Sequence, residues 1–270
     1  MNIYKYPRTR HIEGSRLQLG DMADDKPIKD LKGEYLIVEE KLDGANSAVS
    51  FDMDGNLLLQ SRGHYLTGGG RERHFALFKT WAAAHARALH PVLGHRFVMY
   101  GEWMYAKHTV FYDRLPHYFM EFDVLDRDNG TFLSTAARRS LLAGLPIMPV
   151  PVVHEGEVTS VDHLNKMTRP TEYKSTGWRD ALQIAAEQSG SRPDMVDQQT
   201  EDSDLAEGLY LKQEDADHVI DRFKFVRADF LQAIEAADGH WHDRPILPNA
   251  LADGVDIFAP VLGVKGAYDA

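Results

Sequence analysis

The chain has 270 residues, 43% hydrophobic and 26% charged, the make-up of a soluble globular protein with one good core and room for a small appendage. Its 41 acidic against 30 basic side chains give a formal net charge of −11, which disfavours a basic surface throughout but leaves room for a local cationic groove. The absence of cysteine excludes a disulfide framework and a thiolate metal site; no run nears the roughly 18 apolar residues that span a bilayer, and the start MNIYKYPRTR lacks the apolar stretch of a secretory signal, so a cytoplasmic location off the membrane is expected.

In chain order, residues 34–40 and 46–53 read as strands, and Asp54-Gly55 is a hairpin turn signal with residues 56–61 returning as the partner strand. Lys41 falls where the first two strands meet, beside Asp43 and the flexible Gly44. A lysine so placed can serve as a nucleophile. Thr67 to Gly70 is a glycine-rich loop without phosphate-loop spacing. From Glu72 to Leu89 the apolar residues Phe75, Phe78, Trp81, Ala82 and Leu89 recur at helical spacing. Residues 96–103 and 118–125 read as two buried strands. Ser134 is an N-cap for a helix to Leu142, which Gly144 and Pro146 stop. Short helices are expected over 161–167 and 177–188, then a polar, acidic and mobile stretch over 189–206. Residues 208–212 and 219–226 form another hairpin, and residues 228–237 a helix; the last thirty residues show little periodicity. Hairpins with helices between them predict an α+β fold of mostly antiparallel sheets with flanking helices, not a doubly wound parallel sheet.

Five segments occur in a telling order. They are Glu40-Lys41-Leu42-Asp43-Gly44-Ala45-Asn46; Ser61-Arg62-Gly63; Tyr100-Gly101-Glu102-Trp103; Phe119-Met120-Glu121-Phe122-Asp123-Val124; and Glu207-Gly208-Leu209-Tyr210-Leu211-Lys212, followed by Arg222-Phe223-Lys224. Together they resemble the motifs of the covalent nucleotidyltransferase superfamily of ligases and capping enzymes, and most closely its ATP-dependent RNA ligases of the phage RNA ligase 2 type. The resemblance spans residues 35 to about 230, so residues 1–230 are expected to form the adenylation domain and 231–270 a short tail with no OB-fold.

The resemblance implies that Lys41 attacks the α-phosphorus of ATP and becomes lysyl-AMP. A neutral amine is needed, and deprotonating an ordinary lysine at neutral pH costs about 4–5 kcal/mol. Desolvation and the nearby cations Lys212 and Lys224 are expected to lower that cost. It further implies that Glu102 accepts from a ribose hydroxyl and that Phe122 stacks on adenine, while Phe119, of opposite strand parity, points away. Arg62 would serve the ribose or phosphate with its planar fork, and Glu40 would read adenine through its backbone carbonyl. Asn46 stands where DNA ligases and capping enzymes usually carry arginine, which favours the RNA-ligase branch.

Glu207 is the best candidate to hold Mg²⁺ or Mn²⁺ through waters, with Asp43 assisting or capping the turn. Lys212 and Lys224 are expected to point into one groove at the α-phosphate. Arg222 replaces the first lysine of the family's Lys-x-Lys, leaving open whether it or Lys224 carries that contact. Arg8 and Arg10 either contact phosphates of ATP or RNA or belong to an arm that covers the sheet. His240 and His242 show no zinc spacing. The implied activity is RNA ligation in RNA repair: RNA 5′-phosphate and 3′-hydroxyl ends are the substrates, an end-processing enzyme is the partner, and a monomer is expected. A minimal DNA ligase, a capping guanylyltransferase and an inactive nucleotide- or RNA-binding homologue are the alternatives.

Overall fold

A computed structural model of the chain describes residues 3–17, 25–230 and 246–260. Its strands are β1 (Arg10–His11), β2 (Leu36–Lys41), β3 (Ala45–Phe51), β4 (Leu57–Ser61), β5 (Phe97–Trp103), β6 (Phe119–Asp126), β7 (Thr131–Leu133), β8 (Met148–Pro149), β9 (Val152–Gly156), β10 (Gly208–Glu214) and β11 (His218–Val226). The helices are α1 (Ala76–Leu93), α2 (Thr135–Leu142), α3 (Val161–Met167), α4 (Trp178–Gln188) and α5 (Pro193–Gln198), with 3₁₀ turns at Ile28–Leu31 and Gly70–Phe75. The fold is α+β.

The strands join in one sheet of order β4-β3-β5-β6-β7-β11-β10-β2-β9, antiparallel along that path, with β1 and β8 adding parallel to β11 and β6. In this order β10 lies three strands from β6. Even so, Lys212 Nζ on β10 donates to the Phe122 carbonyl on β6, and the Tyr6 hydroxyl bonds both Asp123 on β6 and Tyr210 on β10. The sheet therefore curls on itself and closes over a polar interior.

Strand parity explains the two main cores. Leu36 and Val38, Leu209 and Leu211, and Phe223 and Phe225 all point to one face, where they pack with Ile12 and Leu164. Their alternates, among them Glu39, Lys41, Tyr210, Lys212, Arg222 and Lys224, share the other face. The second core joins α1 to β5 and β6, with Phe78, Trp81, Trp103 and Phe119 in ring contact. Ser134 caps α2, its hydroxyl accepting from the Ala137 N–H at 3.2 Å.

One segment departs from the sequence expectation of a mobile, acidic stretch. Residues 189–206 are folded: α5 packs with Trp178, Leu182 and Leu247. The acid there is met by cations, with Arg179 on Asp202 at 2.8 Å and Arg227 on Glu201 at 2.8 Å. Strand β9, a half-exposed edge strand, lies where the sequence pattern marks no element, because its residues do not alternate. Part of the expected tail, residues 246–260, runs along the 104–118 loop, where Leu115 N–H donates to Ala250 O and Ala252 N–H to Leu115 O, both at 2.9 Å. Of the helix expected over 228–237, Ala228 and Asp229 form a turn; the remainder from 231, together with His240 and His242, lies outside the described residues.

Candidate active site

Lys41 is the last residue of β2, and its neighbour in register on β10 is Gly208, directly after Glu207. Lys41 Nζ donates to Glu207 Oε2 at 2.6 Å. Two glycines allow this approach. A Cβ on Gly208 would stand 1.9 Å from the Phe225 carbonyl oxygen, and one on Gly44 would meet the Trp103 carbonyl at 2.8 Å. Gly208→Ala should therefore split β10 from β11 and pull Glu207 off Lys41. We expect a loss of about 3 kcal/mol or more in chemical denaturation; an unchanged midpoint would show that the strands can part at no cost.

Carboxylates surround the amine. Glu102, paired in register with Asn46 on β3, accepts the Gly44 N–H at 3.1 Å. Burial first, then the charges of Asp43 and Glu207 set against that of Lys41, push the Glu102 carboxyl up to about 8. Burial likewise raises Glu207 to about 7, with Asp43 adding to the effect and Lys41 and Lys224 opposing it. For Lys41, burial lowers the pKa, but the charge and hydrogen bond of Glu207, with Glu102 and Asp43, outweigh it and the net shift is upward. This corrects the sequence expectation: the resting lysine is a paired ammonium among acids, not an amine discharged by neighbouring cations.

Asp43 is committed to the backbone. Its Oδ2 accepts the N–H groups of Thr109 at 2.6 Å and Val110 at 2.8 Å, and its own N–H donates to the Tyr112 hydroxyl at 3.0 Å. Glu40 has the opposite parity to Lys41. Its side chain is buried, raised to about 7 by burial against a Thr171 hydrogen bond, and its N–H donates to Pro151 O at 2.9 Å.

Phe122 occupies a β-bulge. Tyr100 pairs with Asp123 and Gly101 with Glu121, so Phe122 has no opposite residue on β5. Its ring, half-buried, meets the edge of Tyr6 at 5.1 Å and 81°. Phe119 lies in the α1 core, stacked on Trp81 at 4.8 Å. Arg62 is exposed just beyond Ser61, which pairs with Ser47, so the register puts it level with Asn46. The Asn46 Oδ1 is buried without a hydrogen-bond partner.

Lys212 does not line an open groove with Lys224. It is fully buried, its Nζ 2.9 Å from Glu39 and 3.2 Å from Asp123. Arg138 joins the same cluster, bonded to Glu39 and to Glu121 at 2.9 Å, and Arg222 stands 3.9 Å from Asp123. Three cations thus meet three carboxylates inside the curl. Arg222 also lies 3.9 Å over the Phe132 ring. Lys224, one pair nearer Lys41 in register, is the cation felt by Glu207. Arg10 is tied to Asp221 at 2.5 Å as β1 lies along β11, and Arg8 is exposed. The structure so brings together Lys41, Asp43, Glu102 and Glu207, with Asn46 and Lys224 beside them. Lys212, Arg222 and Arg10 stand apart. Tyr6, Glu39, Tyr112 and Arg138 carry no sequence signal of their own, because no motif spacing or periodicity marks a lone tyrosine or a buried counter-ion.

Residues 34–226 match the family model described as RNA ligase. The chain belongs to the RNA ligase family. Solved structures similar to it include variants of the Naegleria gruberi RNA ligase. One, with ATP and Mn, is 18% identical over 84% of this chain and 63% of that one, with a TM-score of 0.48. A second with ATP and Mn is 19% identical over 81% and 58%, with a TM-score of 0.49. A third, with AMP and Mn, is 17% identical over 84% and 62%, with a TM-score of 0.46. The chain thus covers less than two-thirds of each of those proteins. No curated protein matches it.

Proposed function

We propose that the chain is an ATP-dependent RNA ligase that seals RNA 5′-phosphate to 3′-hydroxyl ends, with residues 1–230 as its adenylation domain. Lys41 Nζ, as the free amine, attacks the α-phosphorus of ATP; an N–P bond forms and pyrophosphate leaves with the electrons of the broken P–O bond. The AMP then passes to the RNA 5′-phosphate, breaking the N–P bond and freeing Lys41. A 3′-hydroxyl next attacks the activated phosphate, losing its proton as AMP departs. All three steps are phosphoryl transfers governed by positioning and charge. The observation that carries this reading is Lys41, 2.6 Å from Glu207 on the neighbouring strand, with the register pair Glu102 and Asn46 beside the Asp43-Gly44 turn that follows it.

The donor chemistry fits a divalent cation: Glu102 and Glu207 are two carboxyls beside Lys41, pushed up to about 8 and about 7 chiefly by burial, and Asn46 Oδ1 nearby is buried without a hydrogen-bond partner. Among the described residues no three His, Asp or Glu side chains converge into a complete ligand set, so Glu207 would hold a hydrated Mg²⁺ or Mn²⁺ through its waters. Asp43, whose Oδ2 accepts two backbone N–H groups, would offer a metal only its Oδ1. When bound, the metal supplies positive field that neutralises phosphate charge and opposes the ammonium form of Lys41. Glu207, by pairing with Lys41, holds the amine in its unreactive form until the carboxylate is drawn away. Lys224 and Arg62 offset the phosphates, and Phe122 offers a ring face to adenine.

The test is intact-mass spectrometry after incubation with ATP and Mg²⁺ or Mn²⁺. We expect a gain on the order of 329 Da, one AMP, and none with GTP. Labelling by GTP instead would point to a capping enzyme, and no gain with either nucleotide would end the proposal. Sealing of nicked duplex RNA, single-stranded RNA and nicked DNA then identifies the substrate, with DNA sealing supporting the DNA-ligase alternative. The reading also makes the chain a monomeric, cytoplasmic RNA-repair enzyme supplied with ends by a processing partner.

A further inference from the structure

The loop between β5 and β6, residues 104–118, has no regular secondary structure, yet Val110, Phe111, Tyr112 and Leu115 are buried in it. Buried irregular backbone needs hydrogen-bond partners from elsewhere. Residues 246–260 supply several of them, for Lys107, Tyr112 and Leu115, and Asn249 is the centre of the contact. It is 1% exposed, and it engages this loop through both its backbone and its side chain. Its N–H donates to Tyr105 O at 2.8 Å and its carbonyl accepts from the Tyr118 hydroxyl at 2.8 Å. The side-chain amide acts as a substitute peptide unit: Nδ2 donates to Met104 O at 2.7 Å and Oδ1 accepts the Tyr112 N–H at 2.9 Å.

The other side of the same loop grips the nucleophile's turn. Tyr112, fully buried, accepts the Asp43 N–H at its hydroxyl, while Thr109 and Val110 donate to the Asp43 carboxylate. Gly44 is held in turn by Glu102. Each peptide unit from Leu42 to Gly44 is therefore fixed by a partner on or next to the 104–118 loop. Lys41 immediately precedes that turn.

We propose that Asn249 is a positioning residue for adenylation, acting through Tyr112 to hold the Asp43 turn and so to aim Lys41. The inference rests on the adenylation chemistry above and extends it to residues beyond the five motifs. Asn249 touches no reacting atom. Its effect is on the geometry of attack, where a shift of about 1 Å costs on the order of 100-fold.

The experiment uses the full chain with Tyr112→Phe, Asn249→Ala and the double variant. Single-turnover lysyl-adenylation and ATP affinity are measured beside hydrogen exchange of the peptide holding residues 40–46. Tyr112→Phe keeps the ring that fills the core and loses one oxygen, so it folds and decides the matter even if Asn249→Ala does not. We expect each single variant to slow adenylation about tenfold or more at saturating ATP, with affinity within twofold and faster exchange over 40–46. The double variant should be no slower than about the worse single one, because the two act in series. Rates within twofold of wild type, multiplicative losses, or losses confined to ATP affinity would each overturn the proposal. A wild-type chain that takes up no AMP would overturn the functional reading instead, and this inference with it.

Discussion

Lys41→Arg is expected to bind ATP, melt at the wild-type temperature and take up no AMP. The guanidinium keeps the positive charge that pairs with Glu207, so fold and ground-state electrostatics are preserved. What it lacks is an accessible neutral form: arginine stays protonated at any workable pH, and no lone pair is offered to phosphorus. The loss should be on the order of 10⁴-fold or more in single-turnover labelling, as for removal of a nucleophile that no neighbour replaces. Intact mass with ATP and a divalent cation reads the outcome directly. Stoichiometric AMP on the arginine variant would mean that another side chain is the nucleophile. Lys224 would then be the first to test.

The pairing with Glu207 also disfavours the free amine that attack would need. The amine's pKa is raised, with Glu207, Glu102 and Asp43 together outweighing burial. Free amine is then scarcer than for an exposed lysine, at a cost above the roughly 4–5 kcal/mol of the unperturbed group at neutral pH. On the proposed chemistry, a ligand that engages Glu207 would oppose this shift. Under the proposed chemistry, nucleotide and metal would also help to free the amine for attack.

How much of this was legible in the sequence depends on the scale of the signal. Local patterns held: Phe78, Trp81 and Leu89 at helical spacing gave α1, Asp54-Gly55 gave the β3–β4 turn, and alternation in residues 208–212 and 219–226 gave the β10–β11 hairpin. The α+β class followed from the order of those elements. The convergence of Lys41 with Glu207, 166 positions apart, came from motif order and not from any local rule. What was not legible was long-range charge pairing. Parity correctly places Lys212 and Lys224 on one face of their strands, but it cannot say that the sheet curls and buries Lys212 against Glu39 and Asp123. The acidic stretch after Asp194 reads as solvated until Arg179 and Arg227 are seen beside it. Residues 246–260 show no periodicity because an irregular strap is held by single contacts such as Asn249.

Lys212→Met is expected to destabilise the fold before it affects any phosphate contact. Lys212 is fully buried with its ammonium on Glu39, Asp123 and the Phe122 carbonyl, and methionine fills similar space without the charge. Removal leaves three buried carboxylates, Glu39, Glu121 and Asp123, facing Arg138 and Arg222 alone. Stripping one partner from a buried ion cluster costs about 3–5 kcal/mol, most of it the penalty of the stranded charge. For Asp123, burial favours the neutral acid, but Lys212, Arg222 and Arg138 together hold the carboxyl below its usual range; loss of Lys212 weakens that hold. Adding Asp123→Asn restores the charge balance, so the double variant should recover part of the loss, a coupling visible in a thermodynamic cycle of denaturation midpoints. A side chain that served mainly to bind phosphate would behave otherwise. Lys212→Met would then leave the midpoint unchanged while ATP affinity fell, and Asp123→Asn would rescue nothing.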